Sequence, residues 1–149
     1  MMEVKSIKSS ETRELRHLVL WPHIQRMEDC IIDIDDREDA IHLGVFYQNK
    51  LISIGSIFRM NSPKLSHKIQ YRLRAMATHP DYRKLHAGHL LLKEAIRLLK
   101  QLNAEVLWCD ARLHATGFYQ KAGFSMLPDI YEVKNIGPHQ FMWFDLGRA

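Results

Sequence analysis

The sequence predicts a mixed α/β domain, and three observations carry that reading. Two β-rich runs, Ile41–Tyr47 and Leu51–Phe58, flank Gln48-Asn49-Lys50 and read as an antiparallel hairpin. Between Gly88 and Leu102, residues Leu91, Ala95, Leu98 and Leu102 form one apolar stripe, broadened by Leu92, Ile96 and Leu99, as in an amphipathic helix. Strand patterns lie on both sides of that helix, Ile69–Thr78 before it and Val106–Trp108 after it. A β-α-β crossover therefore occupies the middle of the chain.

The remaining elements follow in order. Val4 and Ile7 among polar neighbours mark a short first strand. Ser9 or Ser10 caps a helix whose Leu15, Leu18, Val19 and Leu20 recur near helical spacing. Trp21-Pro22 ends it, because a residue before proline is biased out of the α region. The stretch Cys30–Asp39, with Asp33, Asp35, Asp36, Glu38 and Asp39, reads as an exposed acidic connection. In the long run after the Met60–Lys64 loop, Tyr71, Leu73 and Ala75 alternate with Gln70, Arg72 and Arg74, the period of a strand. Arg112–Lys121 reads as a helix ended by Gly123, and Ile130–Val133 and Gln140–Leu146 as strands flanking Gly137-Pro138. The order is β-α-β-β-β-α-β-α-β-β.

Composition narrows the function. A chain of 149 residues fits one domain over residues 1–149. With 46% hydrophobic and 26% charged residues, a disordered tail, a collagen-like fibre and a coiled-coil rod are excluded. Cys30 and Cys109 are too few for a disulfide framework and read as reduced thiols. The opening MMEVKSIKSS has no apolar h-region, and no window approaches the ~18 apolar residues of a membrane span, so a cytoplasmic protein is expected. A net charge of +4 is too small and too dispersed for nucleic acid, yet compatible with a small anionic ligand.

The informative stretch is Met76–Leu91. A strand runs into a basic loop carrying Arg83, Lys84, His86 and His89, and the loop opens onto a helix at Gly88. The first turn of a helix presents unpaired N–H groups and a partial positive charge, which suits a phosphate. Neither GxxxxGK[ST] nor GxGxxG occurs, so the loop is neither a P-loop nor a dinucleotide fingerprint. On the residues alone it is either an anion cradle or a solvated basic turn.

Met76–Leu91 resembles the acyl-CoA-binding motif of the GNAT superfamily of N-acyltransferases, whose [QR]-x-x-G-x-[GA] pattern falls on Arg83, His86 and Gly88. Asp110–Phe124 is similar to that superfamily's A-x-x-x-Y-x-x-x-G-F stretch. The resemblance covers most of the chain. It implies a GNAT-like fold, a central, mostly antiparallel twisted sheet of six to seven strands flanked by helices. It also implies acetyl-CoA as co-substrate without a metal, and direct attack by a primary amine of a small molecule in a ternary complex. Acetylation of a protein or peptide amine and a catalytically silent acyl-CoA-binding module are the alternatives. The implied partners are a small-molecule amine and, for assembly, at most a second copy of the chain; neither nucleic acid nor membrane is expected.

Residue by residue, the resemblance implies cofactor contacts at Met76, Ala77, Thr78, Arg83, Lys84, His86, Ala87, Gly88 and His89, mostly through backbone N–H, and a further one at Asp110. An oxyanion donor is implied in the main chain near Met76–Thr78. Tyr119 is implied as the general acid toward the coenzyme A sulfur, against a packing role beside Phe118 and Phe124. Two departures stand out. His86 occupies the place of the first loop glycine, so any left-handed conformation there falls on a histidine. Arg72 and Arg74 occupy the strand face where many relatives place an acid, which leaves His42, Asp110 and His139 as base candidates. Arg74 and His42 are the acceptor-side candidates. Arg74 would bind a carboxylate or phosphate on the amine, against a solvated face or an ion pair with Asp33–Asp39. His86 and His89 lack the further ligands a metal needs, and Cys109 reads as a core residue.

Overall fold

The computed structural model describes residues 1–147. Seven strands form one sheet: β1 (Met2–Ser6), β2 (Ile41–Tyr47), β3 (Lys50–Arg59), β4 (Gln70–Thr78), β5 (Val106–Arg112), β6 (Ser125–Val133) and β7 (Gly137–Asp145), in the spatial order β1-β2-β3-β4-β5-β7-β6. Only β4 and β5 run parallel, because the crossover helix α2 (Ala87–Gln101) joins them; every other pair is antiparallel. The β2–β3 turn has Gln48 and Asn49 at φ 51° and 65°, the left-handed pair that matches the twist of a two-residue hairpin. The apolar stripe of α2 closes the main core, with Leu91, Leu92, Ala95 and Leu99 packed over Leu43, Val45, Ile52, Ile57 and Leu73.

Three expectations are corrected. The first helix is a composite: a 3-10 turn Ser9–Thr12, a single α turn α1 (Arg13–Leu15), and a π turn Arg16–Leu20. Its apolar spacing misleads because Arg16 points inward with 0% exposure while Leu18 is 51% exposed. The acidic connection is not all solvated. Asp35 is buried and receives both terminal guanidinium nitrogens of Arg16, at 2.7 and 2.8 Å. The expected helix Arg112–Lys121 starts later, as a 3-10 turn Leu113–Ala115 followed by α3 (Thr116–Lys121). Its first residue stays in β5, which pairs with β7 as far as Arg112 and His139.

Candidate active site

Strands β4 and β5 pair only through Gln70–Val106, Tyr71–Leu107 and Arg72–Trp108, then part. The divergence leaves a wedge-shaped cavity of about 690 Å³. A β-bulge shapes its β4 wall. The β3–β4 register jumps between Ile54 and Ser56, so that Ala75 and Met76 together oppose Gly55, with Ala75 at φ 53°. The extra residue reverses the alternation of the strand. Leu73 and then Met76 face the α2 side, whereas Ala77 joins Leu15 and Ile54 on the other face. Beyond the bulge β3 accepts the His79 N–H through Ile52 (2.7 Å), so the alternate N–H groups of Thr78 and Met76 turn toward the wedge.

The cavity continues to the start of α2. His86, its N-cap, adopts the left-handed conformation (φ 62°, ψ 30°), so the histidine takes the geometry expected of a glycine. At Gly88 an added Cβ would lie 3.3 Å from the Phe118 ring and 3.5 Å from Met76 Cε, so glycine keeps this turn open against the α3 wall. Arg83, His86, Gly88 and His89 line the cavity.

Tyr119 of α3 also faces the cavity, its ring held against Phe118 and Phe124 (5.1 Å to each centroid) and its hydroxyl 3.7 Å from Met76 Sδ. Burial, with Cys109 adding, pushes its pKa well above the usual phenol value, so the hydroxyl remains a donor throughout the neutral range. Burial also pushes up the Cys109 thiol, which stays an inert core group as expected.

The opposite wall is rich in cations. Arg72 donates to Asp110 Oδ2 (2.7 Å) and lies over the Trp108 ring at 4.9 Å. The Tyr131 hydroxyl donates to Asp110 Oδ1, and burial together with that carboxylate pushes the Tyr131 pKa up. Arg112 donates to the Leu20 carbonyl at 2.8 Å, which pins the N-terminal segment across the cavity so that Val19, Leu20 and Trp21 line it. His139 Nδ1 lies 2.8 Å from the Gly137 carbonyl. A carbonyl only accepts, so Nδ1 is the donor in this hydrogen bond.

A sequence profile of the Acetyltransferase (GNAT) family matches residues 4–124. The chain belongs to the GNAT acetyltransferase family. It is 41% identical over 143 residues to the N-acetyltransferase YitI of Bacillus subtilis (strain 168), covering 96% of this chain and 95% of that one. Its fold is similar to that of an aminoglycoside 6'-N-acetyltransferase complexed with coenzyme A (TM-score 0.77, 12% identity, 99% and 98% of the two chains). It is likewise similar to Escherichia coli ElaA (TM-score 0.74, 19% identity, all of both chains). As a GNAT acetyltransferase it uses acetyl-CoA to acetylate an amine.

The wedge fits that co-substrate. An unpaired strand edge can pair with an amide-bearing arm, and a helix start opened by a glycine can receive phosphates. Of the residues the GNAT resemblance singled out, Met76, Ala77, Thr78, Arg83, His86, Gly88, His89, Asp110, Arg74 and Tyr119 line this one cavity. Lys84 and Ala87 do not; Lys84 is exposed and Ala87 is buried beneath the loop in the core. Asp110 is at the wedge, but both its oxygens are already bonded by Arg72 and Tyr131. His42 lies away from it, buried between Ser56 Oγ (2.7 Å) and the Asp35 carbonyl (2.8 Å). The wall formed by Val19–Trp21, Arg112 and His139 carries no local sequence signal, because it is assembled from segments far apart in the chain. No group of side chains among the described residues could hold a metal ion.

Proposed function

We propose that this enzyme acetylates a primary amine of a small molecule by direct attack in a ternary complex. The observation that carries the reading is the single wedge lined on one side by the α2 start and Tyr119, and on the other by His139 and the arginines. The pinned Val19–Trp21 segment supports a small acceptor, because it adds a wall that narrows the cavity.

Acetyl-CoA supplies a thioester carbonyl, and the residues of the wedge do the rest. The backbone N–H groups of Met76 and Thr78 polarise the carbonyl oxygen, while the loop from Arg83 to His89 holds the phosphates. As the C–S bond breaks, Tyr119 donates its hydroxyl proton to the departing sulfur, and the second proton lost from the attacking nitrogen replaces it. His139, with Nδ1–H fixed on Gly137, accepts the ammonium proton at Nε2 so that a neutral amine attacks.

Thiol release from acetyl-CoA, screened over amines, amino acids, amino-phosphates, polyamines, aminoglycosides and peptides, tests this reading. Release stimulated by small amines is expected, and His139→Gln should lower kcat by removing the proposed base. Tight acetyl-CoA binding without turnover on any acceptor contradicts catalysis, and turnover restricted to peptides contradicts the small-molecule assignment.

A further inference from the structure

Four cationic and acidic side chains surround Arg74, and their pairing is unequal. Asp35 and Asp110 attract it, whereas Arg16 and Arg72 repel it. Both acids are already bonded: Asp35 receives two nitrogens of Arg16, and Asp110 receives Arg72 and the Tyr131 hydroxyl. Three arginines therefore share two carboxylates, and the one left over, Arg74, lines the wedge beside the paired Arg72. Among the described residues the Arg74 side chain has neither an ion pair nor a hydrogen bond, its main chain being paired with Ser56 in the sheet. Burial and the two neighbouring arginines both lower its pKa, the mark of a cation held in a place that disfavours it.

A partly desolvated guanidinium without a counter-ion is costly to the folded protein, and a bound anion removes that cost. Arg112 strengthens the field, since it lines the same cavity and, among the described residues, its guanidinium bonds only the neutral Leu20 carbonyl. Arg74 also stands on β4 two residues before Met76, whose N–H faces the reacting carbonyl in the proposed site. We infer that the acceptor is a small amine bearing a carboxylate or phosphate, and that Arg74 binds that anion while the amine meets the thioester. The inference rests on the proposed acceptor site and gives it a substrate class. The same charge excludes polyamines, because a second ammonium would lie against an unpaired arginine.

Matched acceptors test it by thiol release: amino acids against their own amides, and phosphoethanolamine against ethanolamine. Each pair shares an amine and differs in the anion. The anionic member is expected to have a kcat/KM larger by on the order of 10-fold or more, the effect of one charge-assisted pair. Whichever pair shows the larger ratio identifies the anion as carboxylate or phosphate. Arg74→Gln should collapse that ratio toward one, and Arg74→Lys should retain part of it, while acetyl-CoA binding by thermal shift checks that each variant is folded. Equal rates within every pair, an unchanged ratio in Arg74→Gln, or spermidine as the best acceptor overturns the inference and leaves amine acetylation standing. Failure of every amine to release thiol instead overturns the acetylation reading, and this inference with it.

Discussion

Two arginine–carboxylate centres, Arg16–Asp35 and Arg72–Asp110, lie near one another in this molecule and do opposite work. At the first, Arg16 is wholly buried and reaches Asp35, Ser56 and the Cys30 carbonyl, while Asp35 also accepts the Ile32 N–H. His42 completes the network on Ser56 and the Asp35 main chain. At the second, Arg72 and Asp110 stand at the mouth of the wedge, each about a quarter exposed, with Arg74 beside them unpaired. The first centre is saturated and ties the N-terminal segment and the acidic loop to the sheet. The second is left short of one anion. The same residue types thus lock the fold in one place and hold a binding site ready in the other; the difference lies in how many partners each guanidinium has.

Variants that strike one centre and spare the other sharpen this contrast. The largest effect belongs to the open side: Tyr119→Phe should lower kcat by on the order of 10²–10⁴-fold with little change in acetyl-CoA affinity or stability. Unchanged turnover, with chemistry rate-limiting, would reduce Tyr119 to a packing residue. On the closed side, Arg16→Ala should cost about 3–5 kcal/mol in denaturant unfolding, because it leaves a buried carboxylate unpaired. A loss below about 1 kcal/mol would mean that water reaches the network.

Acid should weaken the closed centre only at low pH. Burial alone would raise the Asp35 pKa, but the hydrogen bonds from Arg16 and the Ile32 N–H, with the Arg16 charge, hold it below the usual carboxylate value. The folded-state value therefore lies under the unfolded one of about 3.9, so this carboxylate stabilises fully above that pH. The contribution fades as the pH falls through the folded-state value, and Asp35→Asn should flatten that limb of the stability–pH curve. The smallest effect is reserved for Arg72→Gln, which breaks a pair that solvent still reaches and should shift unfolding by no more than about 1 kcal/mol. A loss as large as that of Arg16→Ala would erase the distinction between the two centres.

The succession of strands and helices along the chain and both motif segments were legible in the sequence because they are local. The period-2 run of β4, the apolar stripe of α2 and the Arg83–Gly88 spacing each need only neighbouring residues. What the local pattern concealed depends on distant partners. Asp35 reads as one acid in a solvated run until Arg16, nineteen residues earlier, is seen to enclose it. The apolar spacing around Leu18 suggested a regular helix because nothing nearby signals that Arg16 takes the inward position. Nor does Ala75 announce a bulge, since alanine has no preference for positive φ. Yet that one inserted residue turns the Met76 N–H into the wedge. His86 was legible as an exception, and the left-handed turn it adopts is the one its position demanded.

The central claim is that the divergence of β4 and β5, with its cradle at the start of α2, is where acetyl-CoA binds. Its most direct test compares the Tm of the parent and of Gly88→Glu with increasing acetyl-CoA. A ligand bound only by the folded state raises Tm by mass action, so the parent should show a concentration-dependent rise. Gly88→Glu, with a side chain and a negative charge set against Phe118 and the phosphate position, should fold but show no rise. Equal shifts in the two proteins would place the co-substrate elsewhere and contradict the account.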